Sequence, residues 1–431
     1  MNVSECRPDH EGTSGRTMDR IRQNPGENDA AAAAPAVDIQ SYGAQSEEFS
    51  LVLGGPLYQL LLRSGLIRPP FGKVGGRIGA ITALAWLPLL ALTILSGRFA
   101  GGVPIPFLYD YEVHARLLFS MPLLILAELV VYVRMRAIGA QFVERNIVTA
   151  AVRPEFDAIL RSAMRLRNSV GAEIAMVLLV FIAGPFIWRG ALALRSDTWY
   201  ATVNGSGLSY TAAGNWYTFV SIPVFQFILL RWYYRLFIWC RLLFQVSRLE
   251  LNLVPLHPDR CCGLGFLGNM VFAFAPLLAA HSALMAGFIA NRILHEGAKL
   301  PDYKFEMVAM AAFLLLIVLG PLCVFIPNLN RARLNGLRTY GKLASEYVVG
   351  FAGKWSGGAA RQIEPLLGSS DIQSMADLDS SFAIVREMKL VPFGKDSILR
   401  FIVIFAAPLA PLALTMFSPE ELLRRLLQVV L

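Results

Sequence analysis

Long apolar runs constrain this chain more than any other feature of its sequence. Several reach about 18 residues or more, enough for a helix to cross a hydrocarbon core of about 30 Å at about 1.5 Å per residue. Only 16% of the 431 residues are charged, against about 25% in soluble globular proteins. The sequence therefore predicts an all-α, polytopic membrane protein, in which the helix bundle itself is the domain.

The apolar runs predict seven membrane spans within a membrane domain of residues 48–417. The spans cover about residues 79–96, 116–133, 173–194, 216–240, 267–290, 306–327 and 398–417. Between them, residues 135–172 and 328–397 are predicted to contain cytoplasmic helices. Residues 1–47 are polar and are predicted to be a disordered cytoplasmic tail, because they cannot bury enough apolar surface to fold. Residues 418–431 have a helix-starting pattern and are predicted to form an amphipathic helix in the membrane interface.

Basic residues predict the orientation of the bundle. Most Lys and Arg lie before span one, between spans two and three, after span four, and between spans six and seven. Cytoplasmic loops carry an excess of Lys and Arg, so the N-terminus is predicted to be inside and the C-terminus outside. This also accounts for the net charge of +8 without a nucleic-acid partner. The predicted partner is the lipid bilayer, and formation of a homo-oligomer stays open.

A predicted cytoplasmic turn before span five gathers several polar side chains. Its sequence is LVPLHPDRCCGLGFLG, at residues 253–268. His257, Asp259 and Arg260 are candidates for holding an anion, a lipid headgroup or a metal. The favoured alternative is structural: Asp259 caps the turn into the next span, and Arg260 extends to the lipid headgroups.

The same turn contains two motifs that are weak predictors of function. Its glycines match G-x-G-x-x-G, but dinucleotide binding needs a strand before that motif. A tight turn between closely packed membrane helices is therefore the favoured interpretation. Cys261 and Cys262 lack the partner spacing of a zinc site. The sequence predicts neither a metal nor a bound cofactor.

Ionisable residues inside the predicted spans are the strongest candidates for function, because burying them in lipid is costly and they usually face a partner or a cavity. They are Glu128 in span two, Arg231 and Arg235 in span four, and His281 in span five. The depths of Glu128 and the two arginines overlap, and the arginines share one helix face. The sequence predicts that Glu128 pairs with one arginine. The alternative is that both arginines extend to lipid phosphates. His281 is expected to be a neutral, hydrogen-bonded core residue.

Two segments of the chain carry a family resemblance. They are LHPDRCCGLGFLG at residues 256–268 and DIQSMADLDSSFAIVREMKLVPF at residues 371–393, followed by a proline-rich last span and the ending EELLRRLL. Together they resemble a family of bacterial multi-pass inner-membrane proteins, over roughly residues 250–431. In that family Gly or Ala is more usual where Cys261 and Cys262 stand. The resemblance implies a bacterial inner-membrane location and no particular activity.

Two classes of function compete. Every predicted span contains a proline, and kinked helices form the midplane sites of many transporters. The first hypothesis is therefore a channel or transporter for a small solute or ion. The alternative is a membrane scaffold or sensor that acts through the basic cytoplasmic segments. A membrane-embedded enzyme comes third, because it needs a converging set of acids, bases or metal ligands, and the sequence favours a protein that is not an enzyme.

Overall fold

Helices account for most of the described chain. In a computed structural model, residues 50–56, 59, 74–187, 198–204, 207–356 and 370–416 are described. In chain order the main helices are α1 (Val74–Leu95), α2 (Tyr111–Glu144), α3 (Arg153–Arg167), α4 (Val170–Ile187), α5 (Ala212–Val246), α6 (Leu264–Ala273), α7 (Ala275–Glu296), α8 (Leu300–Ser356), α9 (Ser370–Arg386), α10 (Lys395–Ala406) and α11 (Ala410–Met416). The predicted tail at 1–47 and the predicted interfacial helix at 418–431 lie outside the described residues.

Five described helices are long and apolar enough to cross a membrane. They are α1, α2, α5, α7 and α8, and the pair α10 and α11 adds a sixth candidate if it forms one bent span. The predicted third span corresponds to α4, whose described part ends at Ile187, before the predicted end of that span. The helices are compatible with a membrane protein, while the count of seven spans and the orientation stay predictions.

The predicted fifth span is not one helix. It divides into α6 and α7, and Phe274 stands between them with φ −93° and ψ 7°. Pro276 lies in the first turn of α7. Proline lacks an N–H, and its ring clashes with the carbonyl of the residue four positions earlier, here Phe272, which explains a break between the two helices. The predicted seventh span likewise bends by 65° between α10 and α11, next to Pro408.

The segments predicted to be cytoplasmic contain helices. Helix α3 lies within residues 135–172 and has Pro154 in its first turn, where a missing N–H is tolerated. Helix α8 continues past its apolar part as a polar helix from Ile326 to Ser356. Helix α9 packs against this extension.

Close helix packing positions the interior of the bundle. Helix α7 lies against both α2 and α10, and α5 lies against α3 and α4. A Cβ atom at Gly287 of α7 would overlap Ala115 and lie 3.1 Å from the Tyr111 carbonyl oxygen of α2. The absence of a side chain at this position therefore lets the two backbones approach.

A short β-hairpin departs from the all-α prediction. Strands β1 (Ala201–Asn204) and β2 (Gly207–Tyr210) pair antiparallel, with Ala201 opposite Tyr210. The hairpin lies in the loop between α4 and α5. It adds one local element to a fold that is otherwise helical over the described ranges.

Candidate intramembrane charge cluster

Five charged side chains from four helices meet inside the bundle. We call Arg77 of α1, Glu128 of α2, Glu173 of α4, and Arg231 and Arg235 of α5 the charge cluster. Glu128 Oε2 lies 2.7 Å from Arg77 Nη2, and its Oε1 lies 2.8 Å from Arg235 Nη1 and 3.7 Å from Arg231 Nη1. Arg231 also reaches Glu173, with Nη2 3.4 Å from Oε1. Glu128 is thus the centre of the network.

Helical spacing brings these residues together. Glu128 shares the buried face of α2 with Leu124 and Val131, because residues three and four apart lie on one side of a helix. Trp232 of α5 donates a hydrogen bond from Nε1 to the Leu124 carbonyl oxygen, at 2.9 Å. The Arg235 guanidinium lies over the Trp232 ring, 4.9 Å from its centroid. These contacts fix α5 against α2 with the arginines facing Glu128.

The cluster is buried except for Glu128, which is half-buried, and it carries an excess of positive charge. Arg77 is 3% exposed, Arg235 5%, and Arg231 and Glu173 8% each. Three arginines and two glutamates give the five members a formal charge of +1. Buried charges lose their hydration and keep their charged form only if partners replace it. The pairs around Glu128 supply this, and an Arg77 Nη2 bond to the Ile125 carbonyl oxygen, at 3.3 Å, supplies more.

The structure brings Glu128 together with both arginines that the depth argument considered. Two members of the cluster were not predicted from the sequence. Both Arg77 and Glu173 lie at the edges of apolar runs. Arg77 falls just before the predicted span one, among the basic residues of the preceding loop, and Glu173 falls at the first residue of the predicted span three. The sequence did contain a signal for Arg77. Arg77, Ala85 and Leu89 are separated by multiples of four residues, so they share the buried face of α1. The functional role of the cluster stays a prediction.

His281 lies outside the cluster's ion pairs. Its Nδ1 is 2.8 Å from the Leu277 carbonyl oxygen, and its Nε2 is 2.8 Å from the Tyr233 hydroxyl. A carbonyl oxygen only accepts, so Nδ1 carries the hydrogen, and in a neutral ring Nε2 accepts from the tyrosine. Both nitrogens are therefore engaged in the core.

A cavity reaches the edge of the charge cluster at Glu173. Its volume is about 390 Å³, and its other lining residues are apolar, among them Ile174, Val177 and Phe227. An ion pair of the cluster therefore adjoins a space large enough for a small molecule.

The turn before α6 is organised by Asp259. Its Oδ1 accepts hydrogen bonds from the backbone N–H groups of Cys261 at 2.8 Å and Gly263 at 3.1 Å, and its Oδ2 accepts one from Gly265 at 2.9 Å. Burial raises the pKa of this carboxyl, but the three N–H donors and the neighbouring His257 outweigh it, so the pKa lies below its ordinary value. This geometry is that of a structural turn, with the carboxylate as its centre.

The remaining polar residues of the turn also have protein partners. Arg260 pairs with Glu387, with Nη1 2.7 Å from Oε2, rather than only extending towards headgroups. His257 Nδ1 lies 2.9 Å from Asp259 Oδ1. Within the described ranges, no three His, Cys, Asp or Glu side chains come together in a way that could hold a metal ion. Whether this turn has any functional role stays a prediction.

Burial makes the two cysteines of the turn poor nucleophiles. Burial and the nearby Asp259 carboxylate raise the pKa of Cys261 to about 11 and the pKa of Cys262 to about 12. The thiolate is the reactive form of cysteine. Both side chains are therefore neutral thiols at physiological pH.

A second buried polar network lies where α2 begins and α7 ends, and it was not predicted from the sequence. Asp110 accepts hydrogen bonds from Trp199 Nε1 and Asn291 Nδ2, each at 2.9 Å. The Tyr111 N–H donates to Asn291 Oδ1 at 2.9 Å. These bonds join the start of α2, the end of α7 and the segment before β1, so the network holds the loops against the bundle.

Fold and site together are compatible with a membrane-embedded helical protein whose interior contains a buried ionic network. Comparison of the chain with protein-family models, curated proteins and solved structures found no match. The family resemblance of residues 250–431 therefore remains a prediction.

Proposed function

We propose that the protein is a channel or transporter for a small ion or solute, and that the charge cluster lies on the pathway. The observation that carries this proposal is the meeting of five charged side chains from four helices, of which four are buried and Glu128 is half-buried. Ionisable residues within membrane helices usually mark substrate, ion or proton pathways, because their burial is otherwise costly.

Interrupted helices support the same proposal. The break at Phe274 between α6 and α7 and the bend between α10 and α11 resemble the discontinuous helices that form transport sites near the bilayer midplane. The cavity at Glu173 offers access to one edge of the cluster. The formal charge of +1 on the cluster favours a small anion over a cation. The proposal includes the bacterial inner membrane as the location, following the family resemblance.

Ion flux into proteoliposomes tests this proposal. Purified full-length protein is inserted into vesicles, and entry of chloride and of potassium is followed with ion-sensitive dyes. We expect chloride entry above that of protein-free vesicles, and a large loss of it in Arg231→Met, because this arginine joins the two glutamates. Arg231→Lys keeps the charge and is expected to retain part of the flux.

The matched control is Arg338→Met, which removes an exposed arginine from the extension of α8. It should leave the flux unchanged. Absence of chloride and potassium flux from verified, folded vesicle preparations would contradict the proposal. So would a chloride flux that is the same in wild type and Arg231→Met.

A scaffold or sensor role is the second candidate, and one observation favours it. The extension of α8 and helix α9 form a pair held at Asp371, whose Oδ2 lies 2.6 Å from Lys354 Nζ and 3.1 Å from Trp355 Nε1. The pair lies beyond the apolar part of α8 and exposes charged side chains such as Lys342 and Glu346 together with apolar ones such as Val349. Deletion of residues 350–386 separates the candidates, because a transporter should keep its flux while a scaffold should lose its partner.

A further inference from the structure

Two arginines from helices far apart in the sequence contact the same aromatic ring. The guanidinium carbon of Arg134, on α2, lies 5.3 Å from the centroid of the Phe272 ring, and that of Arg400, on α10, lies 4.5 Å from it. Phe272 belongs to α6, which packs against both helices. The two guanidinium carbons are therefore about 10 Å apart at most, a separation at which salt screens the repulsion between like charges only in part.

Neither arginine has an acidic partner among the described residues. Both side chains are exposed, and no described carboxylate forms an ion pair with them, including Asp396, which lies one helical turn before Arg400. A cation–π contact leaves the N–H donors of a guanidinium group free for hydrogen bonds. The pair therefore combines two positive charges with unused donors, and its complementary ligand is an anion with several acceptor oxygens.

Exposed apolar side chains flank the two arginines. Val133 precedes Arg134, Leu399 precedes Arg400, and Val403 lies one turn further along α10, and each of the three is more than half exposed. Both helices belong to candidate membrane spans. Arg134 directly follows the predicted second span, and Arg400 lies near the start of the predicted seventh, so both are at the same predicted boundary of the bilayer. A ligand that fits this surface therefore needs a hydrocarbon part as well as an anionic group.

We propose that Arg134 and Arg400 together bind the phosphate of an anionic phospholipid, and that the Phe272 ring holds both guanidinium groups in place. Different oxygens of one phosphodiester accept hydrogen bonds of about 2.8 Å from the two arginines, which bridges a gap of this size. The acyl chains lie on the flanking apolar side chains.

The charge of the site selects among phospholipids. Basic pockets between membrane helices on the cytoplasmic side bind anionic headgroups. Two arginines repel the ammonium group of a zwitterionic headgroup, so a lipid with a net negative charge, such as phosphatidylglycerol, is the complementary one. Since none of the three residues belongs to the charge cluster, this inference does not rest on the proposed transport function.

Equilibrium binding of short-chain lipids to purified full-length protein in a neutral detergent tests the proposal. The probes are dioctanoylphosphatidylglycerol and dioctanoylphosphatidylcholine, which share their acyl chains and phosphate but differ in net charge. We expect the phosphatidylglycerol to bind about tenfold more tightly. Arg134→Met and Arg400→Met should each lower its affinity about tenfold, the size of one charge-assisted hydrogen bond. The double variant should lose less than the two single losses combined, because one phosphate contacts both groups.

Two further variants distinguish a shared site from general attraction to a basic surface. Phe272→Leu keeps both charges but removes the ring, and should weaken phosphatidylglycerol binding about threefold. Arg161→Met removes an exposed arginine of α3 on the same predicted side of the membrane, and should bind the lipid as wild type does. Equal affinity for the two lipids would overturn the proposal. So would additive losses in the double variant, or an equal loss in Arg161→Met and Arg134→Met.

Competition distinguishes a lipid from a water-soluble phosphate. Inorganic phosphate at the concentration of the probe, with ionic strength held constant, should not displace dioctanoylphosphatidylglycerol, because it lacks the acyl chains. Displacement by inorganic phosphate would identify a free anion as the occupant and would contradict a lipid site.

Discussion

Glu128 stands within reach of three guanidinium groups and at the centre of the charge cluster. A carboxylate in this position offsets the mutual repulsion of the arginines, and the arginines replace the water that the carboxylate lost. Removing one member of a buried ionic network leaves the others uncompensated, at a cost of about 3–5 kcal/mol. The stability of this region therefore depends on the network as a unit.

A double-mutant cycle tests this dependence. We expect Glu128→Gln and Arg235→Met each to lower the free energy of unfolding by about 3–5 kcal/mol. The double variant should recover part of the loss, because it leaves fewer uncompensated charges. The measurement is denaturant unfolding of the purified protein in detergent.

An exposed pair provides the control for that cycle. Lys342 and Glu346 lie 3.7 Å apart on the extension of α8, and both are largely exposed. Glu346→Gln should change the free energy of unfolding by about 1 kcal/mol or less. Additive losses for Glu128→Gln and Arg235→Met would show that the two residues are not coupled.

Asp259 makes the turn before α6 sensitive to acid. Because its folded pKa is lowered from its ordinary value of 3.8, its contribution to stability is present above that value. The contribution is lost as the pH falls through the folded pKa. We expect Asp259→Asn to be about 1–3 kcal/mol less stable than wild type at pH near 7. The difference should narrow only when the pH falls below about 3.8.

Thermal unfolding of both proteins across a pH series measures this effect. Ser380→Ala is a suitable control, since its hydroxyl donates to the Ala376 carbonyl oxygen of its own helix. A gap between wild type and Asp259→Asn that is already closing near pH 6 would point to a group other than Asp259.

At the scale of elements, the packing of α7 on α2 depends on small residues. The sequence places Ala279, Ala283 and Gly287 on one face of α7, and a side chain at Gly287 would collide with Ala115. Helices in a membrane gain little from hydrophobic burial, so close backbone contact provides much of their attraction. The interface therefore has little tolerance for added volume.

Two glycine-to-alanine substitutions test this tolerance. Gly287→Ala should destabilise the protein by about 1–3 kcal/mol, because the added methyl group has no room. Gly79→Ala in α1 is the matched control, since a Cβ atom there meets nothing within 4 Å. It should be neutral or stabilising by up to about 1 kcal/mol through helix propensity. Equal melting temperatures for the two variants would contradict the packing argument.

At the scale of the whole molecule, the predicted orientation assigns each loop to one side of the membrane. Basic loops predict that the chain after α8 is cytoplasmic and that the β-hairpin and the end of α11 lie outside. A fluorescent protein that folds only in the cytoplasm should be bright when fused after Ser356 and dark when fused after Asn204 or Met416. Alkaline phosphatase, which is active only outside, should give the reverse pattern. Brightness after Met416 would mean an even number of spans.

The sequence by itself determined the class of the fold and the positions of most of its long helices. Apolar runs of this length have few alternatives to the helix, because a backbone in lipid must satisfy its hydrogen bonds internally. Glu128, Arg231 and Arg235 could also be predicted from the sequence, since charged residues within apolar runs are evident from it and their depths follow from the helical rise. The cap at Asp259 also followed from local chemistry, because an aspartate near a helix start commonly accepts backbone N–H bonds.

Only the tertiary structure decided which distant residues meet. Arg77 and Glu173 joined the cluster because α1 and α4 pack beside α2 and α5, and neither packing partner can be derived from one helix alone. The break at Phe274 resulted from a proline whose effect depends on whether neighbouring helices can satisfy the freed backbone groups. The cavity at Glu173 is lined by residues of α4 and α5, so its volume exists only once those helices have packed together.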